Sequence, residues 1–200
     1  MALPAFGITY DYRCPFARLL HGHLVAALRA GAAFEVEFLP FTLTQGYVEP
    51  GEPDAWDDPA RMEELLALEV SLAVRDTSPT AFLDVHEGLF DLRHVHHGNL
   101  RDRKAVWAVA EAAGVDLAAM EAELDSGRPR AEIAERWRYL KGDLEVFGVP
   151  TFVIGDDAVF VRLLEPSIDA AASTALIEQL VRQVAEQPTI NEFKHTRVPF

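Results

Sequence analysis

One sulfur can do chemistry in this 200-residue chain, the single cysteine Cys14. It stands in Tyr12-Arg13-Cys14-Pro15-Phe16, between an apolar run and a segment patterned as a helix. Proline is favoured at the first helical position because it lacks only a donor that would go unpaired there. Cys14 is thereby placed at or next to the helix N-cap, where free N–H groups and the helix dipole favour a thiolate. Arg13 adds a formal positive charge beside it, so the spacing predicts an ionised, nucleophilic thiol. A lone cysteine is also commonly a small buried hydrophobe. The helix start and a distant Val149-Pro150 pair set the reactive reading ahead of that one. A single cysteine excludes an intramolecular disulfide and a cysteine-based metal cluster.

The histidines are the second group that could do chemistry. His86, His94 and His97 recur at near-helical spacing, so they could share a face, with His96 beside them. Asp91 or Glu87 could complete a metal site. A histidine run at a helix C-terminus is also held by the dipole alone, and helix end and pocket wall is the favoured reading, without a metal. One of these rings could face Cys14 and act as a base. His21 and His23, two positions apart, point to different helix faces and suit a surface or interhelical role better than a ligand pair. In the tail, Lys194, His195 and Arg197 form a small basic cluster, either a solvated end or a dock for an anionic thiol.

Elements must position these groups. Phe6 to Tyr12 reads as a first strand, Pro15 to about Arg29 as a helix closed by Gly31, and Phe34 to Leu39 as an alternating second strand. Together they form a β-α-β unit with parallel strands. Pro40 to Asp58 is loop-like, a connector ahead of a lid. From Pro59 to about Arg138 the pattern is almost wholly helical, broken at Thr77-Ser78-Pro79, Gly114 and Ser126-Gly127-Arg128-Pro129, as in a compact bundle. A helix over Arg130 to Phe147 leads to a strand ending at Ile154. Gly155-Asp156-Asp157 turns the chain into a strand over Ala158 to Val161. Asp169 to Glu186 is a final amphipathic helix. The expected division is a discontinuous domain over 1–58 and 140–200 with a helical domain over 59–139.

Half the residues are hydrophobic, enough for a sizeable core without disulfides. The net charge of −14 argues against nucleic acid as a partner. No apolar run reaches membrane-spanning length. The start, Met1-Ala-Leu-Pro-Ala-Phe, lacks the pattern of a signal peptide. The expectation is a cytoplasmic protein with no membrane partner.

Cys14-Pro15 at the first helix and Gly148-Val149-Pro150-Thr151 opening the third strand give the chain a resemblance to the thioredoxin superfamily. Cys14 and Pro150 are 136 positions apart (150 − 14), which is similar to its DsbA-like branch. The implied fold is α/β: a thioredoxin-like fold with an all-helical insertion between the second and third strands. It also implies a cis Val149–Pro150 bond lying against the sulfur. The turn His94-Val95-His96-His97-Gly98-Asn99 and the closing Glu192-Phe193-Lys194-His195-Thr196-Arg197 resemble the mycothiol-dependent nitroreductase group. That group usually carries Cys-Pro-Trp-Cys, and Ala17 stands here where its second cysteine would be.

From the resemblance follow a set of expectations. The chain is a thiol-dependent oxidoreductase with Cys14 as nucleophile, and Tyr12, Arg13, Pro15, Phe16, Val149, Pro150 and Thr151 bind substrate. Without a second cysteine the chemistry is monothiol, resolved by an external low-molecular-weight thiol such as mycothiol or glutathione. That thiol is a co-substrate, and no cofactor is tightly bound. The partners are this small thiol and a disulfide or electrophilic substrate, and a homodimer is allowed. Two alternatives stay open: a thiol-dependent transferase or isomerase of the kappa-class type, and a redox-inactive binding module on the same fold.

Overall fold

The computed structural model describes residues 3–167, 169–190, 192 and 194. Its centre is β1 (Phe6–Tyr10), five residues buried throughout, as a strand covered on both faces must be. β1 pairs in parallel with β2 (Val36–Pro40), Phe6 opposite Val36 and Tyr10 opposite Pro40. On its other side it runs antiparallel to β3 (Thr151–Ile154), which forms a hairpin with β4 (Asp157–Phe160). The sheet order is β2-β1-β3-β4.

Helix α1 (Pro15–Arg29) returns the chain from β1 to β2, and Gly31, at φ +88°, lets it turn out of the helix. On one side of the sheet α1 and α8 (Ala170–Glu186) bury Phe6, Ile8, Leu20, Leu24, Phe152, Ile177 and Val181 together. Between β2 and β3 comes the helical block: a short α2 (Pro59–Met62), then α3 (Leu66–Thr77), α4 (Phe82–His94), α5 (Arg103–Ala112), α6 (Leu117–Asp125) and α7 (Arg128–Gly142). Aspartates at 58, 102, 116 and 169 cap α2, α5, α6 and α8, each accepting a backbone N–H of the first turn. Tyr10, Tyr12, Leu39 and Phe41 share one continuous apolar core with Leu68, Leu72, Val85, Leu89 and Phe90 of the block.

The architecture is the expected one: α/β, with helices inserted between the second and third strands. Two element ends differ most from expectation. β1 stops at Tyr10 rather than Tyr12, since its partner strand ends at Pro40 and the last rung is Phe41 N–H to the Tyr10 carbonyl. α7 ends at Gly142 rather than Phe147, where the Val146 N–H closes back on the Leu140 carbonyl and Glu145 takes φ +55°. Residues 40–58 are a packed connector: Gln45 is buried and bonds both Asp54 and the Ala55 N–H, and Ala55 and Trp56 are buried too. Among the described residues no helix is long and apolar enough to cross a membrane.

Gly22 sits in the middle of α1, and a Cβ built there meets nothing within 4 Å. A mid-helix glycine costs about 0.5–1 kcal/mol relative to alanine. Gly22→Ala is therefore expected to raise stability by about that amount in urea unfolding, and a loss of stability would mean the site is not open.

Candidate functional site

The turn after β1 is built by Asp11. Its carboxylate accepts the Arg13 N–H at 2.9 Å, the guanidinium Nη2–H at 2.9 Å and the Leu43 N–H at 2.8 Å, and the residue is 2 % exposed. The Asp11 carbonyl then accepts the Cys14 N–H at 3.0 Å. Cys14 is the N-cap of α1, with Pro15 following in the first turn. Its Sγ accepts the Ala17 N–H at 3.4 Å and donates to the Val149 carbonyl at 3.3 Å. The Val149–Pro150 bond is cis, so the sulfur faces the segment the resemblance implied. Thr151, next along, ties the same segment to β1 through its N–H to Thr9 Oγ1 at 2.8 Å.

The state of the sulfur differs from expectation. Cys14 is 7 % exposed, and burial pushes its thiol up from the ordinary value. The N–H groups of Ala17 and Phe16 pull it down, as a helix start should, and the Asp11 charge pushes it up again; the net direction is up. Arg13 does not reach the balance, because its guanidinium is turned away into Asp11 and Glu64, with Nη1 to Glu64 Oε2 at 2.6 Å. The sequence reading of a helix-start thiolate supported by Arg13 is thus corrected: the N-cap geometry is present, but burial outweighs it and the thiol is shifted toward its neutral form.

Of the other candidates, Tyr12 is buried and Pro15 exposed; Val149 and Pro150 are buried beside the sulfur. Phe16 is half-buried, and the Arg162 guanidinium lies over its ring, 4.8 Å from the centroid. The ring of Phe147 packs against Phe160 at 5.2 Å, and Phe147 is 73 % exposed.

The histidines are distributed, not gathered. His96 and His97 are exposed, whereas His94 donates from Nε2 to the Tyr12 carbonyl at 2.9 Å. Among the described residues no set of three His, Cys, Asp or Glu is placed to hold a metal. None of the hydrogen bonds to the Cys14 sulfur comes from a histidine. His23 joins α1 to α8 through Ser173 Oγ at 3.0 Å, the interhelical role expected of it.

His86 and His21 form a buried relay that sequence spacing gave no sign of. Tyr12 Oη meets His86 Nδ1 at 2.8 Å, His86 Nε2 meets His21 Nδ1 at 2.9 Å, and His21 Nε2 meets the Thr9 carbonyl at 3.1 Å. A carbonyl only accepts, so His21 Nε2 carries a proton; its Nδ1 then accepts from His86 Nε2–H, and His86 Nδ1 accepts from the Tyr12 hydroxyl. Every ring nitrogen is used, with both imidazoles neutral. Burial holds His21 down at about 4 and His86 well below its ordinary value, and it pushes the Tyr12 hydroxyl up. In the tail, Lys194 pairs with Glu192 at 3.7 Å; His195 and Arg197 lie outside the described residues.

The family described as DSBA-like thioredoxin domain matches residues 8–165. The chain belongs to this family. No curated protein matches it. Among solved structures, this DSBA-like chain is similar to the thiol-disulfide oxidoreductase MdbA from Actinomyces oris, with TM-score 0.61 and 19% identity over 90% of this chain and 79% of that one. It is also similar to the cytosolic disulfide reductase DsbM from Pseudomonas aeruginosa, determined with GSH, with TM-score 0.59 and 15% identity over 89% and 99%. Pseudomonas aeruginosa DsbA gives TM-score 0.58 and 16% identity over 93% and 86%. At these identities the likeness is one of fold.

Proposed function

We propose that this DSBA-like protein carries out thiol–disulfide exchange through Cys14 alone, in the reducing direction, with a low-molecular-weight thiol such as glutathione or mycothiol as the second thiol. The observation that carries the reading is the seat of the sulfur: a helix N-cap facing the Val149 carbonyl, with Ala17 where a resolving thiol would stand. The Cys14 thiol gives up its proton, and the thiolate attacks one sulfur of a disulfide R–S–S–R′. A Cys14–S–S–R bond forms and R′–S⁻ leaves, taking up a proton. A free thiolate R″–S⁻ then attacks the R sulfur, releasing R–S–S–R″ and Cys14, which is reprotonated. Electrons pass only between thiols and disulfides. A thiolate the protein does not stabilise is a weak oxidant as a disulfide, which disposes Cys14 to take a disulfide from a substrate rather than to donate one. The similar DsbM structure, of a cytosolic disulfide reductase with GSH, fits a cytoplasmic setting and a small-thiol partner.

Cys14→Ser decides the matter. Reduction of a small mixed disulfide in the presence of glutathione or mycothiol is expected to fall to the uncatalysed rate, and the wild-type protein is expected to gain the mass of one thiol after exposure to the oxidised form. Retained reduction in Cys14→Ser removes the reading. Conjugation of an electrophile that tolerates the substitution would place the protein with thiol transferases instead.

A further inference from the structure

Around Cys14 nearly every guanidinium is already occupied. Arg13 is held by Asp11 and Glu64, Arg18 by Asp91 and Arg101 by Glu64. Arg162 differs from these: it is exposed, its guanidinium carbon lies over the Phe16 ring at 4.8 Å from the centroid, and no carboxylate pairs with it among the described residues. Its place is set by the sheet. Val161 N–H donates to the Pro150 carbonyl at 3.1 Å, which carries the hairpin past the end of β4 and brings residue 162 alongside the segment that faces the sulfur. Phe16, two residues after Cys14, supplies the ring that orients the guanidinium. A guanidinium held over a ring face still offers N–H groups at its edge, and such an edge matches the two oxygens of a carboxylate. The exposed Phe147–Phe160 pair flanks the same edge of the sheet, Phe160 lying two residues before Arg162.

We propose that Arg162 is a specificity-determining residue which binds the carboxylate of the small thiol, so that the site takes carboxylate-bearing thiols and disulfides in preference to neutral ones. The proposal rests on the exchange function above and narrows its second thiol to the carboxylate-bearing class, to which glutathione belongs and mycothiol, with no free carboxylate, does not. Neither Arg13 nor the tail is needed for it. In a chain of net charge −14, a cation beside the site with no carboxylate pair among the described residues gives an anionic ligand a favourable place to dock.

The test separates binding from chemistry. In Cys14→Ser, which cannot exchange, S-methylglutathione is expected to bind, and adding Arg162→Glu is expected to weaken it at least tenfold, with Arg162→Lys between the two. In the protein with Cys14 intact, Arg162→Glu is expected to slow exchange with glutathione disulfide at least tenfold while leaving exchange with bis(2-hydroxyethyl) disulfide within twofold. Arg162 is exposed, so these variants leave the core untouched, and unchanged urea midpoints check that. Equal affinity in Arg162→Glu, or no binding of S-methylglutathione, overturns the proposal even where Cys14 exchanges with the neutral disulfide. Loss of exchange with both disulfides in the parent protein would instead sink the function of Cys14, a result the binding arm does not depend on.

Discussion

Replacing His86 with alanine is expected to cost about 4 kcal/mol of stability at pH 7, in the range seen for deleting a buried aromatic ring. The ring is fully buried and packs against Tyr10, Tyr12, His21, Phe38, Phe82 and Phe90. Its removal also leaves the Tyr12 hydroxyl and His21 Nδ1 without their partners, each a buried polar group with a desolvation cost. The same relay makes the intact protein acid-sensitive. In the native state His21 stays neutral down to about pH 4, whereas in the unfolded chain it takes a proton near 6.5. The unfolded state therefore binds more protons in this window, so stability is fully present above pH 6.5 and falls as the pH drops toward 4. For His21 alone the loss between pH 7 and pH 5 is roughly 2 kcal/mol, and His86 adds to it in the same direction. Urea unfolding at the two pH values measures this. His86→Phe, which keeps a ring but no proton site, is expected to show a smaller difference between them; an unchanged difference would place the acid sensitivity elsewhere.

The second large effect concerns the thiol. An ordinary cysteine with a pKa of 9.0 is about 1 % ionised at pH 7, and burial leaves Cys14 less ionised than that. Alkylation by iodoacetamide is expected to rise about tenfold per pH unit from pH 7 and to keep rising beyond pH 9. Asp11→Asn is expected to move the profile to lower pH, because it removes a negative charge near the sulfur and frees Arg13 from one of its two carboxylates. A plateau below pH 7 in the unaltered protein would show that Arg13 reaches the sulfur in solution. That outcome would also reverse the direction assigned to the exchange reaction.

Both effects lie beyond what a linear reading can reach, although the elements that host them do not. The N-cap position of Cys14, the parallel β-α-β unit, the helical block and the Val149–Pro150 pair are written in local spacing: a proline after a cysteine, an alternating strand, helix breakers, aspartates before helices. Asp11 was within reach too, since an aspartate two residues before Arg13 can accept its N–H in a tight turn. The charge state of the site was not. It depends on Glu64, which is 51 positions from Arg13. His21 and His86 are 65 apart, and nothing in either segment marks one as the partner of the other. Arg162 reads as an ordinary residue after a strand until the hairpin folds it over Phe16. Helix and strand ends failed for a related reason: β1 stops where Pro40 ends its neighbour, a fact about a different stretch of chain.

The relay also bears on how separable the helical block is. Tyr12, His21 and Thr9 come from the first strand-turn-helix unit, and His86 comes from α4 of the inserted block. Tyr10 is bonded in the same way to Ser71 of α3, at 2.9 Å. The inserted helices therefore supply hydrogen-bond acceptors and core side chains to the strand that carries the cysteine. A shortened chain joining β2 directly to β3 would not be a pared-down thioredoxin with its sulfur intact. It would expose Tyr10, Tyr12, Leu39 and Phe41 and leave two tyrosine hydroxyls seeking partners beside the reactive turn. In this protein the insertion shares its core and the partners of two buried tyrosine hydroxyls with the scaffold, so the reactive turn is built from both.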